Sequence, residues 1–166
     1  RSMASFAVFA ITGKLAESME KEGFDFTKRN KVSIWVSQHP YQDIPDAYFD
    51  ETFSHKNKRA TNTWSDNFRL QYFEPDFMET NGVQTGTVDI KKAAGECSFS
   101  SSYIEALLNK AKKKKLTSIT WIVLLYEHEY SVKRSSIGKD TYLTFVGAFD
   151  YDDSAEPLFE DVSAEC

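Results

Sequence analysis

The stretch that most constrains this fold is residues 63–79, which read TWSDNFRLQYFEPDFME. Apolar side chains recur at every second position, at Phe68, Leu70 and Tyr72, so a strand here would direct all three to one half-buried face. The pattern ends at Pro75, because proline cannot donate a hydrogen bond to a neighbouring strand. Three carboxylates lie within six positions around this proline: Glu74, Asp76 and Glu79. The sequence therefore predicts a strand that carries an acidic cluster at its end.

Such a cluster can bind a metal ion, remain solvated or contact a basic partner. One metal-dependent pattern is present, since Pro75-Asp76 followed by Asp89-Ile90-Lys91 has the proline-aspartate and carboxylate-x-lysine spacing of a large nuclease superfamily. In that chemistry two carboxylates hold Mg²⁺ and the lysine polarises the attacking water. The spacing is common in a chain that is 27% charged. A nuclease with Asp76, Asp89 and Lys91 in its site is therefore an alternative, not the main hypothesis.

No other cofactor site is expected. The three histidines have no zinc-ligand spacing, and the sequence lacks a glycine-rich phosphate loop. Lysines 112–115 end a predicted helix, where positive charge complements the helix dipole, and no aromatic residues are interleaved with them. We therefore expect no metal and no nucleic-acid partner.

Length and composition favour one folded domain. The chain has 166 residues, of which 41% are hydrophobic, enough to bury a core without disulfides. Its two cysteines, Cys97 and Cys166, indicate a reducing cytosol, although one bridge between them stays open. The apolar stretch 6–11 is too short to span a membrane, and no basic signal-peptide segment precedes it. We expect a cytoplasmic protein with no membrane partner.

The acidity of the chain is concentrated at its C-terminal end. Residues 150–166 contain seven Asp or Glu and no Lys or Arg, whereas the other 149 residues hold 18 acids and 20 bases. Acidic ends of this kind are solvated tails or interaction tails. Leu158, Phe159 and Tyr151 favour docking of this end, because they are apolar side chains in an otherwise polar segment. We place a single domain at residues 3–153 and an acidic tail at 154–166.

The hydrophobic pattern predicts an α+β fold. Helices are expected over residues 8–19, after an N-cap at Asp43, and after a capping box formed by Ser102 and Glu105. Besides the stretch around Phe68, strands are expected at 32–36, 118–126 and 141–149, and the last two would pair as a hairpin around a long exposed loop, 127–140. The Asn81-Gly82 pair predicts a turn. These elements form a mostly antiparallel sheet with helices packed on it.

Five short motifs, taken in order, resemble immunity protein family twenty-two of bacterial polymorphic toxin systems. They are VSIWVS (32–37), DNFRLQYFEPDFME (66–79), SFSSSYIEALLNKAKKK (98–114), ITWIVLLYEHEY (119–130) and FVGAFDY (145–151). Their order, more than any single motif, carries the resemblance. This chain departs from the family pattern at two points: Phe73 stands where a second tyrosine is expected, and Pro75 separates Glu74 from Asp76 where the acidic pair is expected to be uninterrupted.

The resemblance implies a non-enzymatic protein that binds and neutralises a cognate secreted toxin. A nuclease toxin is the favoured target, because the active cleft of a nuclease is basic and a partner that presents carboxylates and aromatic rings can occlude it. An interaction module unrelated to toxins is a further alternative. The residues expected to contact the toxin are Trp64, Glu74, Asp76, Glu79, Tyr151, Asp152 and Asp153.

Overall fold

The computed structural model describes residues 23–53 and 59–160, and within them the chain has the predicted α+β architecture. The strands are β1 (Thr27–Ser37), β2 (Thr52–Phe53), β3 (Ala60–Thr61), β4 (Met78–Gly82), β5 (Val88–Asp89), β6 (Ser118–Ile119), β7 (Trp121–His128) and β8 (Thr144–Asp150). The α-helices are α1 (Thr63–Asn67), α2 (Ile90–Gly95), α3 (Ile104–Lys113) and α4 (Val132–Ser135). No helix in the described ranges is long and apolar enough to cross a membrane.

A four-stranded antiparallel sheet in the order β4-β7-β1-β8 organises the domain. Trp35 in the centre of β1 lies opposite Val123 of β7 on one side and Phe145 of β8 on the other. The predicted hairpin of the last two long strands is therefore wrong, because β1 lies between them. The second half of β1 is buried on both faces, as expected of a strand in the middle of a covered sheet.

Each face of the sheet has its own core. On one face α2 and α3 cover the even-numbered side chains of β1, including Ile34, and Leu107 of α3 is fully buried there. On the other face Trp35 contacts Trp64 and Phe68 edge-on, with ring centroids 5.0 and 5.7 Å away. Loops and short elements of residues 24–53, 59–73 and 130–145 complete this second core.

The predicted strand around Phe68 is absent. Residues 63–67 form α1 instead, because the Asn62 side chain accepts a 2.8 Å hydrogen bond from the Ser65 backbone N–H and so caps the helix. Arg69 then adopts a left-handed backbone with φ of 61°, which turns the chain. Four apolar side chains of residues 63–79 are still buried in the second core: Trp64, Phe68, Leu70 and Phe73.

Three further expectations need correction. Only two 3-10 turns, Tyr41–Asp43 and Asp46–Tyr48, replace the helix expected after Asp43, since Pro40 and Pro45 precede them and proline disfavours helical backbone before it. Helix α3 is present, but the Ser102 hydroxyl donates to the Phe99 carbonyl rather than capping α3. The Asn81-Gly82 pair ends β4 rather than forming a turn.

The loop between β7 and β8 is partly core. It contains α4, and the hydroxyl of buried Tyr130 donates a 2.7 Å hydrogen bond to the Ile137 carbonyl. The loop is therefore tied to the second core instead of being an exposed tip. The N-terminal helix expected over 8–19, residues 54–58, the last six residues and the pairing of Cys97 with Cys166 lie outside the described residues.

Candidate functional site

The most exposed part of the predicted acidic cluster is a ridge formed by residues 74–77, here called the acidic ridge. Pro75–Phe77 forms a 3-10 turn, in which the Phe77 backbone N–H donates a 2.9 Å hydrogen bond to the Glu74 carbonyl. This turn leaves Asp76 exposed, Glu74 half-buried and the Phe77 ring 37% exposed. The acidic ridge thus presents carboxylates beside an accessible aromatic ring.

Glu79, the third carboxylate of the predicted cluster, faces away from the acidic ridge. It lies in β4, and its carboxylate accepts hydrogen bonds from the Tyr126 hydroxyl at 2.7 Å and from the Ser98 backbone N–H at 3.0 Å. Both partners belong to the helix-covered face of the sheet. Glu79 therefore joins the loop before α3 to the sheet, and the cluster is divided between the two faces.

A polar cleft of about 230 Å³ lies on one side of the acidic ridge, lined in part by Asp25, Arg59, Glu74 and His128. The His128 ring is nearly buried, with Nδ1 2.8 Å from the Tyr126 carbonyl oxygen, and burial lowers its pKa so that it is neutral near pH 7. The Thr27 hydroxyl and backbone N–H donate to the Asp25 carboxylate and lower the pKa of that group. The cleft therefore holds ionised Asp25 beside a neutral imidazole.

An apolar groove of about 320 Å³ lies on the other side of the acidic ridge, along the edge strand β4. Its lining includes Tyr41, Phe49, Glu51, Pro75, Met78 and Trp121. The rings of Tyr41 and Trp121 contact each other, with centroids 4.6 Å apart. Gly82 makes this placement possible, because its φ of 156° suits glycine and a Cβ there would collide with Thr120 and the Trp121 ring.

Two aromatic residues expected at the contact surface are core residues. Trp64 is fully buried and packs edge-on against Phe73, with centroids 5.3 Å apart, so it is not a surface anchor. Tyr151 is 8% exposed and stacks on Phe99 at 5.6 Å. Burial raises the pKa of the Tyr151 hydroxyl to about 12. Trp64 was misplaced because its neighbours in the sequence are polar, whereas α1 turns the indole inward.

The described part of the acidic tail is docked against the domain. Asp152 and Asp153 are exposed, and the Asp152 backbone N–H donates a 3.0 Å hydrogen bond to the Ser102 hydroxyl. Further along, the Phe159 N–H donates to the Gly95 carbonyl at 2.9 Å. Asp152 and the acidic ridge lie at the same end of the sheet but at opposite edges, three strand spacings or roughly 14 Å apart.

The three residues of the nuclease pattern do not form one cluster. Asp76 precedes the first residue of β4, whereas Asp89 lies opposite Ser118, near the last residue of β4, roughly 15 Å along the sheet. The Asp89 carboxylate instead accepts a 2.8 Å hydrogen bond from the Lys91 backbone N–H and caps α2. This capping role explains the carboxylate of the pattern, and it uses the Lys91 backbone rather than the lysine side chain. No group of three or more His, Cys, Asp or Glu suited to a metal occurs in the described ranges.

Sequence reasoning missed the apolar groove, because its walls come from three separate segments. Tyr41, Phe49, Met78 and Trp121 are each half-buried and carry no distinctive local pattern. A usable signal was the charge of residues 41–51, which contain four acids and no Lys or Arg.

A sequence model of the family described as Immunity protein 22 matches residues 32–152, well over half of the chain. The match spans β1 to β8 and includes the acidic ridge and the lining of the apolar groove. It confirms the resemblance found in the sequence. No curated protein and no solved structure matches the chain.

Proposed function

Because the chain belongs to the Immunity protein 22 family, we propose that it protects a cell by binding a cognate secreted toxin and occluding the toxin's active cleft. This function is binding without catalysis. It requires a surface complementary to the toxin rather than a set of reactive side chains that converge on one point. The separation of Asp76 from Asp89 agrees with that demand and gives the nuclease alternative no support.

The acidic ridge is the observation that carries this proposal. Asp76 and Glu74 are carboxylates at a fixed turn, and the exposed ring of Phe77 lies between Asp76 and β4. Carboxylates steer a basic partner during encounter, and aromatic side chains supply much of the affinity once water is excluded. A nuclease is the toxin class that best fits, because it binds phosphates through a basic cleft. The encounter would then take place in the cytoplasm, where such a toxin meets nucleic acid.

The contact residues divide into two groups. Glu74, Asp76 and Phe77 form the central contact, and Asp152 with Asp153 form an outer group at the opposite edge of the sheet. A typical interface covers roughly 800 Å² on each partner, which is wide enough to reach both groups. Trp64, Glu79 and Tyr151 act indirectly, because they hold the domain in shape.

Co-expression of this protein with the toxin encoded by the neighbouring gene tests the proposal. The unaltered protein should restore growth, and the purified pair should form a complex in which toxin activity is lost. The double change Glu74→Lys with Asp76→Lys should abolish protection, since repulsion replaces attraction at the centre of the contact.

The matched control is Glu105→Lys, which reverses one exposed charge on α3, on the helix-covered face. Circular dichroism and thermal melting must first show that all variants fold. A neighbouring gene for a metabolic enzyme, or failure of the unaltered protein to inhibit the encoded toxin, would favour an interaction module without an immunity role. Protection by the double variant would place the contact elsewhere on the domain.

A further inference from the structure

We propose that the apolar groove receives one large apolar side chain of the partner, carried by a strongly basic segment of that partner. This inference rests on the proposed immunity function and adds to it a second anchor point and a description of the partner's sequence. Three properties of the apolar groove support this inference: its rigidity, its size and its charged border. A fourth argument is that other occupants fit the apolar groove poorly.

The walls of the apolar groove are fixed before any partner binds. Met78 is held by the pairing of β4 with β7, opposite Leu125, and Trp121 is held by β7 and by its contact with Tyr41. Pro75 has a restricted backbone. A rigid site loses little conformational entropy on binding, so its apolar contacts contribute more fully to affinity.

The size of the apolar groove suits a side chain rather than a helix. Its volume of about 320 Å³ is at the lower end of the roughly 300–1,000 Å³ found for pockets that enclose small molecules. Half-buried Phe49 and Trp121 offer an aromatic lining. Aromatic or large aliphatic side chains that fill such pockets are the usual hot spots of protein interfaces.

The border of the apolar groove is negatively charged. Glu51 lines the apolar groove, and the two segments that supply most of the other lining residues, 41–51 and 74–80, contain seven acids and no Lys or Arg. Glu79 faces the other side of the sheet, and Glu74 is half-buried. The other five acids are exposed, and none forms an ion pair with a Lys or Arg among the described residues: Asp43, Asp46, Asp50, Glu51 and Asp76. Carboxylates in these segments attract cationic side chains that flank the inserted one.

Other occupants fit this border poorly. A second copy of the chain in a symmetric contact would bring the same acidic border against itself. A nucleic acid would be repelled, because its phosphates are negative. The apolar residues of the tail are held on the helix-covered face, because the Leu158 N–H donates to the Ser100 hydroxyl and the Phe159 N–H donates to the Gly95 carbonyl. A basic partner protein is the occupant that matches both the apolar walls and the charge.

The test fills the apolar groove without weakening the domain. Thr80 is exposed in β4 and lines the apolar groove, so Thr80→Tyr should occupy it while tyrosine remains favourable in a strand. The probe is the toxin encoded by the neighbouring gene, with affinity measured by calorimetry. We expect Kd to rise about 30-fold or more, the loss typical of a hot spot. The control Thr141→Tyr, at an exposed site before β8, should change Kd by less than about 3-fold.

A second variant tests the charged border. Asp50→Lys with Glu51→Lys alters exposed side chains only and should raise Kd while leaving the melting temperature nearly unchanged. If the unaltered protein binds the toxin and both groove variants bind equally well, this inference is wrong and the immunity function stands. If the unaltered protein does not bind the toxin, both fail. Self-association that Thr80→Tyr abolishes would identify a second copy as the occupant and overturn the inference.

Discussion

The Tyr126 hydroxyl donates a 2.7 Å hydrogen bond to the Glu79 carboxylate, and this contact joins β7 to the edge strand β4 beneath the acidic ridge. Burial raises the pKa of Tyr126, so the phenol is a neutral donor at physiological pH. The same carboxylate accepts from the Ser98 backbone N–H. One acidic residue thus fixes the edge strand, the neighbouring strand and the loop before α3.

Glu79→Ala should destabilise the domain, because the Ser98 backbone N–H would lose its acceptor and the Tyr126 hydroxyl would keep only the Ser98 carbonyl, 3.0 Å away. We expect the free energy of unfolding to fall by about 1–3 kcal/mol, measured by urea denaturation. Glu79→Gln keeps an acceptor oxygen and should lose less. Asp76→Ala, at an exposed position three residues away, should change stability by less than about 0.5 kcal/mol. Equal effects of the alanine changes at 76 and 79 would contradict this assignment.

Trp64→Ala should act on stability rather than on toxin contact. Removal of this fully buried indole leaves a cavity beside Trp35, and truncation of a buried tryptophan costs about 3–5 kcal/mol. Thermal melting should show the loss, and Trp64→Phe should show a smaller one. A Trp64→Ala protein with unchanged melting and weakened toxin binding would show that Trp64 is an anchor after all.

Asp89→Ala should weaken α2 without any effect linked to metal. Loss of a carboxylate that caps a helix costs about 0.5–2 kcal/mol. Asp89→Asn should retain most of that stability, since an amide oxygen can accept the same hydrogen bond. Addition of Mg²⁺ should not change the melting temperature of the unaltered protein. A rise with Mg²⁺ that disappears in both Asp89→Asn and Asp76→Asn would revive the nuclease alternative.

His128 should make the domain less stable in mild acid. Its folded-state pKa is lowered by burial, so below the unfolded-state value near 6.5 the unfolded chain binds a proton that the folded one does not. The contribution of His128 to the free energy of unfolding is therefore fully present above about pH 6.5. It is lost as the pH falls through the lowered pKa of the folded state. Denaturation curves at pH 7 and pH 5 should show a smaller loss for His128→Gln. Equal losses in the two proteins would mean that carboxylates alone cause the pH dependence.

The two groups of acidic contact residues, Glu74 with Asp76 and Asp152 with Asp153, should affect different rate constants of toxin binding. Asp152→Lys with Asp153→Lys should slow association with the toxin and leave dissociation nearly unchanged, because outer charges act mainly on encounter. Glu74→Lys with Asp76→Lys should also accelerate dissociation. Surface plasmon resonance at low and physiological salt checks both, since association driven by charge slows as salt rises. An association rate that does not respond to salt would show that the contact is mainly apolar.

Local patterns in the sequence predicted the long elements correctly. The apolar runs that became β1, β7 and β8, and the periodicity of α3 before Lys112, are properties of neighbouring residues. The order of the strands in the sheet is not a local property. It depends on how apolar faces from distant parts of the chain are buried against one another. Two strands that follow each other in sequence usually pair. The insertion of β1 between them is decided by burial of both of its faces, which no short window contains.

Candidate site residues were predicted less well, for related reasons. The carboxylates around Pro75 were found from composition, but β4 alternates its side chains, so Glu79 went to the opposite face from Met78. Trp64 lies in a helix of five residues, too short to show a helical period. The apolar groove joins residues as far apart in sequence as Tyr41 and Trp121. Its existence follows from tertiary packing alone.

The central position of β1 also sets the order in which this chain can fold. β1 is synthesised before both of its partner strands, since Val36 pairs with Ile122 on one side and Thr144 on the other. A nascent chain must therefore keep one of its most apolar segments unpaired until about a hundred further residues have been made. Contacts so distant in sequence slow folding, and the waiting segment is open to aggregation and to chaperones. If the protein is an immunity protein, a cell must therefore contain folded molecules of it before the toxin enters.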